Sequence, residues 1–159
     1  MKYSLYIFIA VLLAVICFFS LLVFGGMPIH NWKLGIIDRR FSELTHPTSS
    51  RLLIHMTEIG NYGNSNHCDY AVGEIRTLHD SKSTIEEYYK NKKIESLVQG
   101  PISVEVFFLD ASDFYDSFPN GPFLETLAKY SNFSTTTERR YLVLIIDPMN
   151  PAIWDARCH

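Results

Sequence analysis

From Leu5 to Phe24 every residue is apolar or aromatic except Ser20, and no formal charge occurs between Lys2 and Lys33. As a helix, such a run extends about 30 Å, the thickness of a bilayer's hydrocarbon core. A buried helix of a small domain ordinarily keeps one polar face, and this run has none. It reads as an uncleaved N-terminal transmembrane anchor, with the lipid bilayer as the partner of residues 5–24. A cleavable signal peptide is the first alternative. Its apolar stretch would be about 7–15 residues, and here bulky Val23 and Phe24 stand before Gly25 and Gly26. A lipoprotein signal ending at Cys17 is the second, opposed by branched Ile16 and by the apolar residues that continue past it.

The remaining length bounds the rest. A chain of 159 residues with 47% apolar content is too hydrophobic for disorder, and it has room for one folded domain. It carries 14 basic and 17 acidic residues, and only Lys2 precedes the apolar run, so the part beyond it has net charge −4. That balance disfavours nucleic acid. The boundaries read as an anchor at 1–26, a stalk or lead-in at 27–50, and an α+β domain at 51–159. Gly25, Gly26, Pro28 and Pro47 mark the lead-in. Within it Ile36, Ile37 and Phe41 suggest a short helical turn against the body, and Trp32 suits a membrane interface or a contact with the domain.

Topology draws on opposing signals. Lys33, Arg39, Arg40 and Arg51 outnumber Lys2, which by charge alone favours a cytoplasmic domain. Cys68 and Cys158, the only cysteines outside the run, suit a disulfide tying the tail to the body. The pair tips the assignment to a single-pass membrane protein with an extracytoplasmic domain. Two unrelated free thiols are the competing reading.

The element order reads β-β-α-β-α-β, a roughly four-stranded sheet with two packed helices. Strands are predicted at Arg51–Glu58, Asp69–Thr77, Ile102–Asp110 and Tyr141–Ile146, the last a continuous apolar run fit for a central position. The first two form an antiparallel pair across a Gly/Asn loop. One helix starts at Ser83 with Glu86 completing a capping box, and Gly100-Pro101 ends it. Another runs Pro122–Tyr130.

Chemistry-bearing residues concentrate at His55, Glu58, His67, Cys68, Asp69 and Glu74. One reading is a thiol catalyst with Cys68 as nucleophile, His55 as base (the geometrically better choice over His67) and Asp69 or Glu58 as orienting group. A second is a metal site using His55, His67, Cys68 and Asp69, with His79, Asp80 and His159 as further donors. A third is a structural hairpin in which Cys68 bridges Cys158, leaving no thiol nucleophile. Asp110, Asp113, Asp116 and Asp147 form a second carboxylate group: if their strands were parallel neighbours, Asp110 and Asp147 would meet at one sheet edge as a metal or phosphate site, and the preferred reading is that they begin turns at strand ends. Arg139-Arg140 is too small a basic patch for nucleic acid, and Asn132-Phe-Ser134 matches a glycosylation sequon. There is no glycine-rich phosphate loop, no Cys-x-x-Cys and no His-Glu-x-x-His, so no cofactor is assigned.

The leading expectation is therefore a membrane-anchored binding or assembly module, partnered by another membrane or extracytoplasmic protein. The alternative is a membrane-tethered thiol- or metal-dependent hydrolase using the His55/His67/Cys68/Asp69 region.

Overall fold

A computed structural model describes residues 2–62, 67–109, 139–151 and 155–158. In chain order the elements are α1 (Lys2–Phe24), α2 (Gly26–Ser42), β1 (Leu52–Gly60), β2 (His67–Thr77), α3 (Lys82–Tyr89), β3 (Lys93–Ile94), β4 (Ile102–Ser103), β5 (Glu105–Phe108) and β6 (Arg140–Pro151), followed by a 3-10 turn at Ala156–Cys158. The α+β class expected from the sequence is the observed one.

The apolar run in β6 sets the architecture. Successive strand residues point to opposite faces, so Tyr141, Val143 and Ile145 enter one core cluster while Leu142 and Leu144 enter another. A strand buried on both faces belongs inside a sheet. β6 lies between β2 and β5 in an antiparallel sheet of order β1-β2-β6-β5. The expected β1–β2 pairing is present, with His55 opposite Glu74 and Gly60 opposite Asp69. On one face Cys68, Tyr70 and Val72 pack with Ile37 and Phe41 of α2 and with Ile85 and Tyr89 of α3. On the other, Met56, Ala71, Ile75, Leu142 and Leu144 form the second cluster.

Several expectations are corrected. The bilayer anchor over residues 5–24 is not supported: among the described residues no helix is long and apolar enough to cross a membrane. The transmembrane, single-pass and signal-anchor assignments fall with it. So do the bilayer as partner and the membrane localisation with an extracytoplasmic domain. The described apolar side chains of α1 are exposed.

Most of the segment read as a stalk or lead-in, 27–50, is helical: α2 spans Gly26–Ser42. Pro28 is tolerated because the first-turn N–H groups have no intrahelical acceptor. His30, Leu34, Ile37 and Phe41 follow the helical repeat, and all four are buried or packed against the core. Trp32 remains largely exposed.

α3 is capped by Ser81, not Ser83: the Thr84 amide donates to Ser81 Oγ at 3.2 Å. It ends at Tyr89, because Ile94 is buried in a two-stranded ribbon with β4. The single strand expected at 102–110 is split at Val104. β4 pairs with β3, and β5 pairs with β6. The expected helix Pro122–Tyr130, the carboxylates Asp110, Asp113 and Asp116, the sequon at Asn132 and His159 lie outside the described residues.

Gly35 sits exposed in mid-α2, where an added Cβ would meet nothing within 4 Å. Gly35→Ala is expected to raise stability by about 0.5–1 kcal/mol through reduced chain entropy. Leu142→Ala, in the buried centre of β6, is expected to cost about 2–5 kcal/mol. Urea unfolding of each variant against the parent measures both.

Candidate functional site

Two polar clusters sit at opposite ends of β2. The first gathers around Cys68. Its partner is Cys158: the two form a disulfide with Cα atoms 4.9 Å apart, closing a sequence separation of 90. This bears out the pairing suggested by the two cysteines outside the run.

The bridge brings a short segment, Asp155–Cys158, against the sheet and α2. His30 of α2 places Nε2 3.7 Å from Cys68 Sγ, and its Nδ1 is 2.7 Å from the Tyr70 hydroxyl. Donor atoms of His30, Cys68 and Asp155 all lie within 4.8 Å of one another. Exposure is 2% for His30 and 0% for Cys68, Asp155 and Cys158.

Burial of these charges is compensated locally. Arg157 donates to the Asp155 carboxylate from its backbone N–H at 3.0 Å and from Nε at 2.9 Å, and it reaches Asn31 Oδ1 at 2.9 Å. Hydrogen bonding from Arg157 holds the Asp155 carboxyl below its ordinary 3.8, outweighing burial, which acts the other way; nearby His30 adds to the lowering. The same pairing raises the Arg157 guanidinium further. Burial, followed by the charges of Asp147 and Asp155, pushes the Tyr70 phenol well above its usual value, so it stays protonated beside His30. Asn150, paired with Cys68 across β2–β6, buries an Oδ1 that has no hydrogen-bond partner among the described residues.

No family model, curated protein or solved structure matches the chain. The geometry of the cluster therefore carries the functional reading.

The second cluster centres on Glu74. His55 Nδ1 lies 3.3 Å from Glu74 Oε1, and its Nε2 lies 2.7 Å from Asp38 Oδ1. His46 Nε2 is 3.5 Å from Glu74 Oε2, with its Nδ1 2.7 Å from the Tyr89 hydroxyl. Arg76 donates to Glu74 Oε2 and Ser50 Oγ. This network joins α2, the segment before β1, β1, β2 and α3.

The structure thus separates residues that the sequence placed together. His55 pairs opposite Glu74, six residues along β2 from Cys68, or about 20 Å. Asp69 accepts from the Tyr62 amide at 2.8 Å and lies 3.1 Å from His67 Nε2. Tyr62 packs in the cluster on the face opposite Cys68. The proposed trio of Cys68, His55 and Asp69 does not converge, nor do the metal candidates His55, His67 and Asp69. Glu58 stands opposite Ala71, and Asp80 accepts a hydrogen bond from Ser49. Asp147 is buried, accepting from Ser96 Oγ and the Leu97 amide at 3.0 Å, where it holds a turn.

The residues missed were His30 and Asp155. His30 had a signal, because it shares the helical face of Leu34, Ile37 and Phe41. Asp155 had only its position three residues before Cys158.

The His46 imidazole is held below its ordinary 6.5, by burial first and then by Arg76 and Lys92, with Glu74 opposing. A base whose folded pKa is depressed binds protons more readily when unfolded. Stability is therefore full above 6.5 and falls as pH drops through the window beneath it. His46→Gln is expected to flatten that dependence, read as the difference in urea midpoints between about pH 7 and pH 5. Reducing the disulfide is expected to cost about 4–5 kcal/mol in metal-free buffer, from the entropy of a loop this long. Parallel unfolding curves with and without a reductant check this.

Proposed function

We propose that the chain is an α+β module built around a buried metal- or thiol-binding centre formed by His30, Cys68 and Asp155. The observation that carries this reading is the convergence of an imidazole, a sulfur and a carboxylate within 4.8 Å, all buried. They come from α2, β2 and the segment after β6. Polar groups removed from water need specific partners, and these three are the donor types that zinc accepts. The expectation of a membrane-anchored binding module is replaced, since its anchor is the part not supported.

The closed setting favours binding over turnover. Structural metal sites are enclosed by protein ligands, whereas catalytic ones keep a position open to substrate. Neither the sulfur nor the carboxylate here is exposed. A hydrolase operating through His55 and Cys68 lacks the geometry, because His55 on β1 stands opposite Glu74, six residues along β2 from Cys68.

The test uses the reduced full chain. It is expected to bind one zinc ion, measured calorimetrically, and His30→Ala or Asp155→Ala should weaken binding at least about tenfold. Tyr70→Phe, which removes the group holding His30 Nδ1, should weaken it about 10–100-fold. In the thiol arm, the alkylation rate of Cys68 should change in His30→Ala relative to the parent. Absence of zinc binding together with an alkylation rate indifferent to His30→Ala would overturn the proposal.

A further inference from the structure

We infer that Cys158 is the fourth donor of a tetrahedral zinc site that exists only when the Cys68–Cys158 bond is reduced, so that the disulfide and the metal are alternative occupants of one centre. This rests on the His30/Cys68/Asp155 reading and adds to it the fourth ligand, the ion and the control by redox state.

Covalent connection makes Cys158 part of the cluster. Its sulfur is bonded to Cys68 Sγ, which lies 3.7 Å from His30 Nε2. In a tetrahedral site with Zn–S near 2.3 Å and Zn–N near 2.0–2.1 Å, sulfur and nitrogen ligands stand about 3.5 Å apart. The imidazole is therefore already at ligand distance from one sulfur. Two thiolates on one zinc stand roughly 3.8 Å apart by the same geometry. Once the bond is reduced, rotation of the two side chains about Cα–Cβ moves the sulfurs apart from bonding distance while the Cα atoms start 4.9 Å apart.

Charge and orientation agree. Zinc with two thiolates, one carboxylate and a neutral imidazole carries a net charge of about −1. The Arg157 guanidinium, bonded to Asp155, supplies the opposing charge. Outer partners of ligands fix their orientation. Tyr70 does so for His30, and Arg157, itself bonded to Asn31, does so for Asp155. The ligand set is two cysteines, one histidine and one aspartate, closed to solvent as structural zinc sites are.

The redox step balances with a dithiol reductant. Thiol–disulfide exchange breaks the Cys68–Cys158 bond and transfers two electrons and two protons, leaving two cysteine thiols and the reductant's own disulfide. Zinc then displaces both thiol protons to solvent. In reverse, a small-molecule disulfide oxidises the two thiolates. It takes up two protons as it becomes two thiols, and the zinc leaves.

The test follows cobalt and zinc on the full chain under anaerobic conditions. Reduced protein should take up one cobalt(II) ion per chain, with tetrahedral ligand-field bands and sulfur-to-cobalt charge transfer. Cys158→Ser should lose about half of the charge-transfer intensity and weaken zinc binding at least about tenfold. The oxidised parent should bind neither ion at this centre. Adding a small-molecule disulfide to the zinc form should release one zinc per Cys68–Cys158 bond formed, followed with a chromogenic chelator. Equal cobalt spectra in the parent and Cys158→Ser would overturn this inference while leaving the three-residue centre intact. Equal zinc affinity in oxidised and reduced parent would overturn it as well. Failure of the reduced parent to bind either ion removes the inference, and the alkylation comparison then decides separately whether the thiol centre stands.

Discussion

Burial of β2 on both faces is the constraint from which the polar architecture follows. Every residue from Cys68 to Thr77 is buried, although the strand carries Asp69, Glu74 and Arg76. Ionic groups withdrawn from water demand partners, and the surrounding elements supply them. Asp69 takes an amide of the β1–β2 connection and lies against His67. Glu74 and Arg76 share a pair and recruit His46, His55 and Ser50. At the other end Cys68 meets the disulfide partner and His30. The two polar clusters are separate answers to one requirement, spaced by the apolar Tyr70–Val72 stretch against α2.

This arrangement divides the labour along one strand. The Glu74 cluster joins helix, loop and strand through charged and hydrogen-bonded groups alone, none of them a sulfur. The Cys68 cluster contains the soft donor and gathers residues distant in sequence. A zinc ion held by Cys68 and Cys158 would join the same two chain positions as the disulfide does. The fold would keep its long-range tie in either redox state, and what differs is whether an ion is present.

Much of the sheet was legible in the residues. The alternation at 52–57 and 70–77 and the unbroken apolar run at 141–146 each announce a strand, and all three strands extend further than their core pattern. Glycine and proline at 25–28 hid α2, since they read as irregular chain. The packed face at 30, 34, 37 and 41 outweighs them energetically. The capping signal was displaced by two residues because Ser81, Ser83 and Thr84 are all suitable hydroxyls, and only the backbone geometry selects Ser81. The disulfide was legible as cysteine arithmetic. The site around it was not, because His30 and Asp155 come from segments that only the completed sheet brings together. Proximity in sequence misled for His55: a strand carries neighbours of Cys68 some 20 Å away within six residues.

The Asp155–Arg157 pair has a consequence for the order of assembly. Because the guanidinium comes from two residues away, the Asp155 carboxylate is buried already paired, while Arg157 itself stays at the surface. Closing a loop of this length opposes early encounter of the two sulfurs. The 3-10 turn packs against β1 and β2 of the hairpin, so the bond is expected to close after those strands have paired, recording the native arrangement rather than dictating it.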